Sequence, residues 1–167
     1  PHHPSTLHFM KVYFALVLLT YCTTAYCQSD PWKNVYTESA WRERDSWQRA
    51  DDIIKHLDIQ AGSQVADIGS HEGYMTFKLS QTVGKTGKVY AVDVEQHKLD
   101  KLKQHAASRN ALNIATIKGD YDNPHLPANT LDAAIILDTY HEMDDHDKIL
   151  QHIKTALKKG GRLVLCE

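Results

Sequence analysis

The sequence contains little cysteine. Its three cysteines are Cys22, Cys27 and Cys166. The first two lie in an N-terminal segment that has the pattern of a targeting signal, so one cysteine remains for the rest of the chain. One thiol can form neither a disulfide framework nor a zinc knuckle. We therefore interpret Cys166 as a small apolar residue and predict no metal site.

The chain also lacks an excess of charge of one sign. Its 19 Lys and Arg residues nearly balance 21 Asp and Glu residues, and the net charge is −2. Proteins that bind nucleic acid through its phosphates carry a basic patch or stripe, and the sequence shows none. We therefore expect no nucleic-acid partner. Hydrophobic residues make up 42% of the chain, which is enough for a folded core and argues against general disorder.

A short apolar run near the N-terminus does not reach the length of a membrane span. Val12–Leu19 falls far short of the roughly 20 residues that cross a bilayer. Lys11 precedes this run, and Ala25-Tyr26-Cys27 follows it as a possible cleavage site. This pattern resembles a secretory signal peptide over residues 10–27. It predicts a secreted or periplasmic protein with no stable membrane span in its mature form; the alternative is an uncleaved segment that anchors the protein to a membrane.

The remaining ranges complete the predicted domain organisation. Residues 1–9 precede Met10, the natural start, and are interpreted as an upstream extension or an expression remnant. Residues 28–40 are polar overall and are predicted to form a linker. Residues 41–167 are expected to form one domain, because the length of the chain allows no second one.

Strand-like apolar runs alternate with helical patterns along this domain. The predicted strands are Gln64–Ile68, Lys88–Val92, Ile114–Lys118, Leu131–Leu137 and Arg162–Cys166, and the predicted helices are Ser39–Leu57, Gly73–Val83, Gln96–Arg109 and Asp145–Lys158. The fourth strand is almost continuously apolar, as expected for a central parallel strand that is covered on both faces. Alternating strands and helices predict right-handed crossovers and a doubly wound parallel α/β sheet with helices on both faces.

Residue patterns in the first and last predicted helices predict two local features. In the first predicted helix, Trp47, Ala50, Ile54 and Leu57 recur at spacings of three and four residues, which predicts one inward face. In the last predicted helix, Gly160 is placed to form the C-terminal cap.

The turn between the first predicted strand and the following helix is the most informative segment. It reads Gly69-Ser70-His71-Glu72-Gly73, and the second strand ends on Asp93. A strand, a glycine turn, a helix and a second strand that ends on an acid form the usual arrangement for binding an adenosine-containing ligand. The dinucleotide fingerprint G-x-G-x-x-G is not complete, because His71 stands two residues after Gly69. A ligand without a pyrophosphate is therefore favoured over NAD.

The pattern D-x-G-x-x-x-G formed by Asp67, Gly69 and Gly73 resembles motif I of class I S-adenosylmethionine-dependent methyltransferases. Most members of that family carry glycine where His71 stands, although catechol O-methyltransferase-like members carry a bulky residue there. Further segments match the family in order, namely "VYAVDVE", "IKGDYDNPHLP", "LDAAIILDTYHEM" and "ALKKGGRLVLCE". The segment "WRERDSWQRADDII" resembles a subset with small-molecule-type methyltransferase domains.

The resemblance implies a Rossmann-like sheet with strand order 3-2-1-4-5 and S-adenosyl-L-methionine as the cofactor. The family's closing β-hairpin is missing, so we expect the chain to be truncated at its C-terminus. Asp93 is expected to bind the ribose, Asp120 and Tyr121 to frame the adenine, and Asp67 and Asp138 to orient the amino group of the cofactor. The full set of implied cofactor-binding residues is Asp67, Gly69, Ser70, Gly73, Asp93, Val94, Asp120, Tyr121 and Asp138.

The segment after the fourth strand is the predicted catalytic loop, since ligands of open α/β sheets bind at the carboxyl ends of the strands. Tyr140, His141 and Glu142 are the candidates for accepting a proton from the nucleophile, with His141 preferred. The resemblance also places Asp138 where catechol-type enzymes have a metal ligand, but the partner ligands would lie beyond Glu167, and metal is left out of the prediction.

The predicted function is methyl transfer to an O, N or C nucleophile of a small-molecule acceptor that the sequence does not identify. Two alternatives stay open. One is a catalytically degenerate, secreted domain that binds S-adenosylmethionine without turnover. The other is an NAD-dependent Rossmann oxidoreductase, against which the interrupted glycine pattern argues.

Overall fold

The structure, a computed structural model, describes residues 38–167. The predicted signal peptide, the upstream residues 1–9 and residues 28–37 of the predicted linker lie outside the described residues. The elements, in chain order, are α1 (Glu38–Gln48), α2 (Ala50–Leu57), β1 (Gln64–Ile68), α3 (Tyr74–Val83), β2 (Lys88–Asp93), α4 (Gln96–Ser108), β3 (Ile114–Lys118), β4 (Leu131–Leu137), a 3₁₀ turn (Tyr140–Glu142), α5 (His146–Ala156) and β5 (Leu157–Cys166). No helix within residues 38–167 combines the length and the apolar character needed to cross a membrane.

The five strands form one parallel sheet in the order β3-β2-β1-β4-β5. The fold class and strand order predicted from the sequence are therefore confirmed. In the centre of the sheet, Val65 of β1 pairs with Val89 of β2 on one side and with Ala133 of β4 on the other. The strand order reverses direction between β1 and β4. This reversal leaves a crevice at the carboxyl ends of these strands, where ligands of open α/β sheets bind.

Each face of the sheet carries its own apolar core, because successive side chains of a strand point to opposite faces. Along β4, Ala133 and Ile135 pack with residues of α2 and α3 on one face. Ala134 and Ile136 pack with residues of α5 on the other face. The near-continuous apolar sequence of β4 is thus explained by burial on both sides, as predicted.

The first predicted helix is two helices rather than one. Arg49 adopts a left-handed conformation (φ 53°, ψ 43°) between α1 and α2. This break rotates α2 relative to α1, so the helical spacing counted across it does not define one face. Ala50 and Leu57 are buried as predicted, but Trp47 is 61% exposed.

The N-terminal helix α1 packs against the domain through Trp41. Its indole ring contacts Tyr74 and Phe77 of α3, with centroid separations of 6.4 and 5.9 Å, and His105 of α4 at 5.7 Å. Burial of a large aromatic ring against three other rings is a strong contribution to helix docking. The predicted linker extends to residue 40, but residues 38–40 form the start of this helix.

The last helix ends two residues earlier than predicted, and Gly160 does not cap it. α5 ends at Ala156, and Leu157 already has extended backbone angles. Gly160 lies within β5 with φ +84°, where the pairing with β4 is irregular between Leu131 and Ala133. Gly160 therefore allows a bulge in β5, since residues with a side chain rarely adopt a positive φ.

Candidate functional site

The glycine turn Gly69–Gly73 is attached to the end of β2. The backbone N–H groups of Gly69 and Ser70 both donate to the carbonyl of Val92, at 2.9 Å each, and Gly73 N–H donates to Ser70. Gly69 and Gly73 have φ values of +80° and +110°, which suit glycine. The turn is therefore fixed by backbone hydrogen bonds to the neighbouring strand.

Gly69 is required by packing as well as by its backbone angles. A Cβ atom at this position would overlap the side chain of Thr139, which follows β4. Thr139 is itself held by a hydrogen bond from its hydroxyl to the carbonyl of Leu137, at 2.9 Å. The glycine thus allows the segments after β1 and β4 to approach each other closely at the point where the strand order reverses.

Asp93 lies at the end of β2 with its side chain mostly buried (7% exposed). Its Oδ2 accepts a hydrogen bond from the backbone N–H of His71, and its Oδ1 accepts one from the backbone N–H of Glu95, both at 2.9 Å. A carboxylate has about four lone-pair sites, so each oxygen keeps acceptor capacity for a ligand. Asp93 is therefore a preoriented acceptor of two hydrogen bonds.

A crevice opens beside Asp93 at the carboxyl edge of the sheet. Of the residues singled out from the sequence, those that line it are Gly69, His71, Asp93, Val94, Asp120, Tyr121 and Glu142. The other residues that line the crevice are the apolar Ile68, Val92, Pro124, Met143 and Ile149 and the polar or charged Glu95, Lys98 and Thr139. The crevice thus combines a buried carboxylate, apolar walls and an aromatic ring at the rim.

His71 takes a left-handed conformation (φ 51°) in the turn, and its side chain is half-buried in the wall of the crevice. Burial, with a smaller effect from the positive charge of Lys98, lowers the pKa of His71 to about 3. The imidazole is therefore neutral at physiological pH. The crevice remains open beside it, so the bulky residue that replaces the usual glycine lines the space without filling it.

Three of the predicted cofactor residues are buried and are not among the described residues that line the crevice. Asp67 (2% exposed) accepts a hydrogen bond from the Thr76 hydroxyl at 2.5 Å. Burial raises the pKa of Asp67 to about 6, against the opposing effect of this hydrogen bond and of Arg44. Gly73 packs on Phe77. The Ser70 hydroxyl is buried and has no hydrogen-bond partner within residues 38–167.

Asp138 directly follows β4 and has a left-handed backbone (φ 52°). Its side chain forms an ion pair with Arg44 of α1 and does not line the crevice. Arg44 also donates to Gln48 at 2.9 Å and lies over the Tyr74 ring at 4.3 Å. Asp138 is therefore engaged by the N-terminal helix, a partner that the sequence analysis did not identify.

The predicted adenine-binding residues lie on the opposite side of the crevice, after β3. Asp120 pairs with His125 at 2.8 Å, and its backbone N–H donates to the carbonyl of Asn123 at 2.8 Å. Tyr121 is 62% exposed. Its ring is thus accessible for stacking, which remains a prediction.

The three candidate catalytic residues share the 3₁₀ turn but not the same environment. Glu142 lines the crevice, whereas Tyr140 and His141 do not. The Tyr140 ring stacks on His146 at a centroid separation of 4.1 Å. His141 is exposed and paired with Glu167, and this hydrogen bond raises the pKa of His141.

Several residues at the carboxyl edge of the sheet were not predicted from the sequence. Thr139 and Met143 lie in the quoted segment after β4, so their position after a central strand was a usable signal. Lys98 lies in α4, which begins shortly after Asp93, so its position was also a usable signal. Arg44 comes from the distant α1, and no local pattern connects it to the site. Within the described residues, no group of three or more His, Cys, Asp or Glu side chains is placed to hold a metal ion.

The residues present fit S-adenosylmethionine. Asp93 offers two acceptors for a pair of ribose hydroxyls, and the apolar residues Ile68, Val92 and Pro124 offer surface for a purine ring. The parallel sheet with strand order 3-2-1-4-5, the glycine turn after β1 and the acid at the end of β2 are the features of the class I S-adenosylmethionine-dependent methyltransferases.

Comparison with known proteins agrees with this class. The family described as a methyltransferase domain matches residues 65–161, and the chain belongs to this family. A solved S-adenosylmethionine-dependent methyltransferase from Aquifex aeolicus is similar with a TM-score of 0.67 and 26% identity, covering 78% of this chain and 72% of that one.

Two curated relatives have more specific names. A demethylmenaquinone methyltransferase from Geobacillus sp. (strain WCH70) is 28% identical over 76% of this chain and 51% of its own length. The ubiquinone/menaquinone biosynthesis C-methyltransferase UbiE of Escherichia coli is 29% identical over 65% of this chain and 44% of its own length. The chain thus spans about half the length of the curated relatives it matches.

Proposed function

We propose that this protein transfers a methyl group from S-adenosylmethionine to a nucleophilic oxygen, nitrogen or carbon atom of a small molecule. The observation that carries the proposal is Asp93, whose two carboxylate oxygens are fixed from two sides at the end of β2 and face the crevice beside the glycine turn. An acid at this position suits the two hydroxyls of a ribose. Family membership supports the same cofactor.

The bound cofactor supplies a methyl group already activated on a positively charged sulfur. The protein therefore has to orient the acceptor and exclude water, and such alignment accounts for much of the rate enhancement when two reactants are bound together. Asp93 holds the sugar in this proposal, and Tyr121 lies against the base. The amino end of α3, next to Gly73, favours the carboxylate of the methionine group.

Removal of a proton from the acceptor falls to the 3₁₀ turn. Glu142 already lines the crevice, so it requires no rearrangement to meet an acceptor. His141 is held by Glu167, and it acts as a base only when it has lost its proton. We therefore place Glu142 beside His141 as a candidate base, with Tyr140 in a supporting position through its stacking on His146.

The acceptor is proposed from the relatives. Demethylmenaquinone, the compound after which the Geobacillus protein is named, is the first acceptor to test. A carbon atom is the first site to examine, since the Escherichia coli relative is named a C-methyltransferase. The apolar residues Met143 and Ile149 in the crevice are compatible with an apolar ring. Because this chain corresponds to about half of that relative, a panel of phenols and amines belongs in the same assay.

A second function is a ligand-binding domain without turnover. The exposed and paired state of His141 favours it, as does the proposed export of the protein by residues 10–27, since S-adenosylmethionine is made in the cytoplasm. Mass spectrometry of the mature N-terminus tests the export. A protein that binds cofactor tightly and methylates no member of the panel has the second function.

The proposal is tested by calorimetric titration with S-adenosylhomocysteine and, separately, with NADH. We expect the first to bind and the second not to bind. Asp93→Ala is expected to weaken binding by about 1–3 kcal/mol, the scale for losing hydrogen bonds to a charged group. Asp100→Ala, on the exposed side of α4, is the matched control. Unchanged affinity in Asp93→Ala, or binding of NADH alone, would overturn the proposal.

A further inference from the structure

Glu72 lies in the glycine turn and has no assigned role in binding the cofactor. It is 5% exposed and is not among the described residues that line the crevice. Burial of a carboxylate is costly unless the charge is paired and hydrogen-bonded. A buried acid at the centre of a ligand-binding turn therefore needs a structural explanation.

The partner of Glu72 is provided by α4. Lys101 Nζ lies 2.7 Å from Glu72 Oε1, and His105 Nε2 lies 4.0 Å from Oε2. Lys101 and His105 are four residues apart, so they lie on the same face of the helix. The turn after β1 is thus connected to α4 by an ion pair whose acid is almost fully buried.

The same two segments also hold Asp93. The turn contributes the N–H of His71 to one carboxylate oxygen, and Glu95, which directly precedes α4, contributes its N–H to the other. Asp93 is therefore bound by two pieces of backbone, and the pair of Glu72 and Lys101 joins those two pieces independently of Asp93.

Packing reinforces this connection at Gly73. A Cβ atom there would lie 3.3 Å from Leu102 Cγ, so the turn lies directly against α4 next to Lys101. A shift of α4 away from the turn would move both N–H donors of Asp93 relative to each other. The position of α4 and the orientation of the Asp93 carboxylate are consequently linked.

We propose that Glu72 and Lys101 form a positioning pair that fixes the Asp93 carboxylate for the ribose of the cofactor. Neither residue touches the cofactor in this proposal; they act through the His71 and Glu95 amides. The inference rests on the proposed function for its ligand. Its structural part, the fixing of Asp93, is testable without any ligand.

The binding test uses Glu72→Ala and Lys101→Met in the complete chain. Each variant is expected to lower the affinity for S-adenosylhomocysteine about tenfold, the scale for losing one hydrogen bond to a charged group. The double variant should bind no more weakly than the weaker single variant, because both changes remove the same interaction. Lys103→Met, which removes a loose surface pair with Asp100 at 3.7 Å, is the matched control and should bind like the wild type.

The ligand-free test is amide hydrogen exchange. In Glu72→Ala the N–H of His71, which donates to Asp93, should exchange faster. The N–H of Gly69, which donates to Val92, should keep its wild-type rate. A general loss of stability would accelerate both. If Glu72→Ala does not fold, Glu72→Gln replaces it, since the amide keeps an acceptor for Lys101 while removing the buried charge; an affinity between those of the wild type and Lys101→Met is then expected.

The outcomes distinguish the positioning pair from the proposed function. If the wild type does not bind S-adenosylhomocysteine but Glu72→Ala selectively accelerates exchange at His71, the proposed function fails and the positioning pair stands. If the wild type binds and a folded Glu72→Ala binds equally well, with unchanged exchange at His71, the positioning pair is overturned and the proposed function stands.

Discussion

The two sides of the crevice are built differently. On the β2 side, Asp93 is buried and held by two backbone N–H groups. On the β4 side, the 3₁₀ turn that brings Glu142 to the crevice also carries His141, which lies outside the crevice lining, is exposed and is held by the side chain of Glu167. Backbone hydrogen bonds within a sheet edge leave little freedom, whereas a pair of exposed side chains is weak and easily exchanged. The β2 side is therefore fixed in advance, whereas the β4 side is adjustable.

The largest expected effect comes from replacing Gly69, which lies against Thr139 and lets the segments after β1 and β4 approach each other. Gly69→Ala would overlap Thr139 and would require an unfavourable positive φ. We expect it to lower the free energy of unfolding by about 3–5 kcal/mol, the combined scale of overpacking and backbone strain. Urea unfolding measures this loss.

The control for this substitution is Gly160→Ala, because Gly160 also has a positive φ but no atom lies within 4 Å of the position that an added methyl group would take. It should cost only the strain, about 1–2 kcal/mol. Equal losses for the two variants would mean that the contact with Thr139 does not matter to stability.

The next largest effect concerns Asp67, the buried acid of β1. Burial raises the pKa of Asp67 to about 6, so the folded protein holds this proton more tightly than the unfolded chain. The stability from Asp67 is fully present below its unfolded pKa and is lost as the pH rises through about 6. The wild type should therefore lose stability relative to Asp67→Asn as the pH rises from 4 to 7. The difference between their free energies of unfolding should fall by about 3 kcal/mol at most.

Asp132→Asn is the control for this pH series. Burial opposes ionisation of Asp132, but hydrogen bonds from the Gln64 amide and from Lys158 prevail and lower its pKa. Its contribution is therefore present at neutral pH and lost as the pH falls, opposite in sign to that of Asp67. If both variants gave the same slope, the assignment of the Asp67 proton would be wrong.

The smallest effect is expected on the adjustable side. Glu167 raises the pKa of His141 through a hydrogen bond, so Glu167→Gln should lower this pKa. If His141 is the base, the acidic limb of the rate profile should move to lower pH in Glu167→Gln, and His141→Ala should reduce turnover with cofactor affinity unchanged. Titration of the His141 ring by NMR checks the pKa directly, and a rate profile that stays in place would direct attention to Glu142.

The sequence was sufficient for the sheet and for Asp93. The strands could be predicted because their apolar runs are short, bounded by glycine or polar turns and buried on both faces, as in Leu131–Leu137. The position of Asp93 beside the glycine turn could be predicted because this acid ends the second strand, and its role in binding a ribose stays a prediction. These signals depend on residues that are close together in the chain, and such patterns can be recognised in a single sequence.

The features that were missed depend on distant contacts. Arg44 is 94 residues from Asp138, and Glu72 is 29 residues from Lys101. The break at Arg49 and the bulge at Gly160 were also missed, because the residues around them show no pattern that marks a positive φ in the middle of a helix or strand. Helical spacing counted through Arg49 consequently placed Trp47 on the wrong face.

The position of Arg44 has a consequence for where a minimal folding unit begins. The family match starts at residue 65, yet Arg44 reaches Asp138 at the end of the central strand, and its positive charge counteracts the high pKa of Asp67. A fragment that started at the family boundary would lose this cation while keeping both acids. The negative charges of Asp67 and Asp138 would then lack this compensation, so α1, which lies outside the residues matched by the family model, is an electrostatic part of the domain.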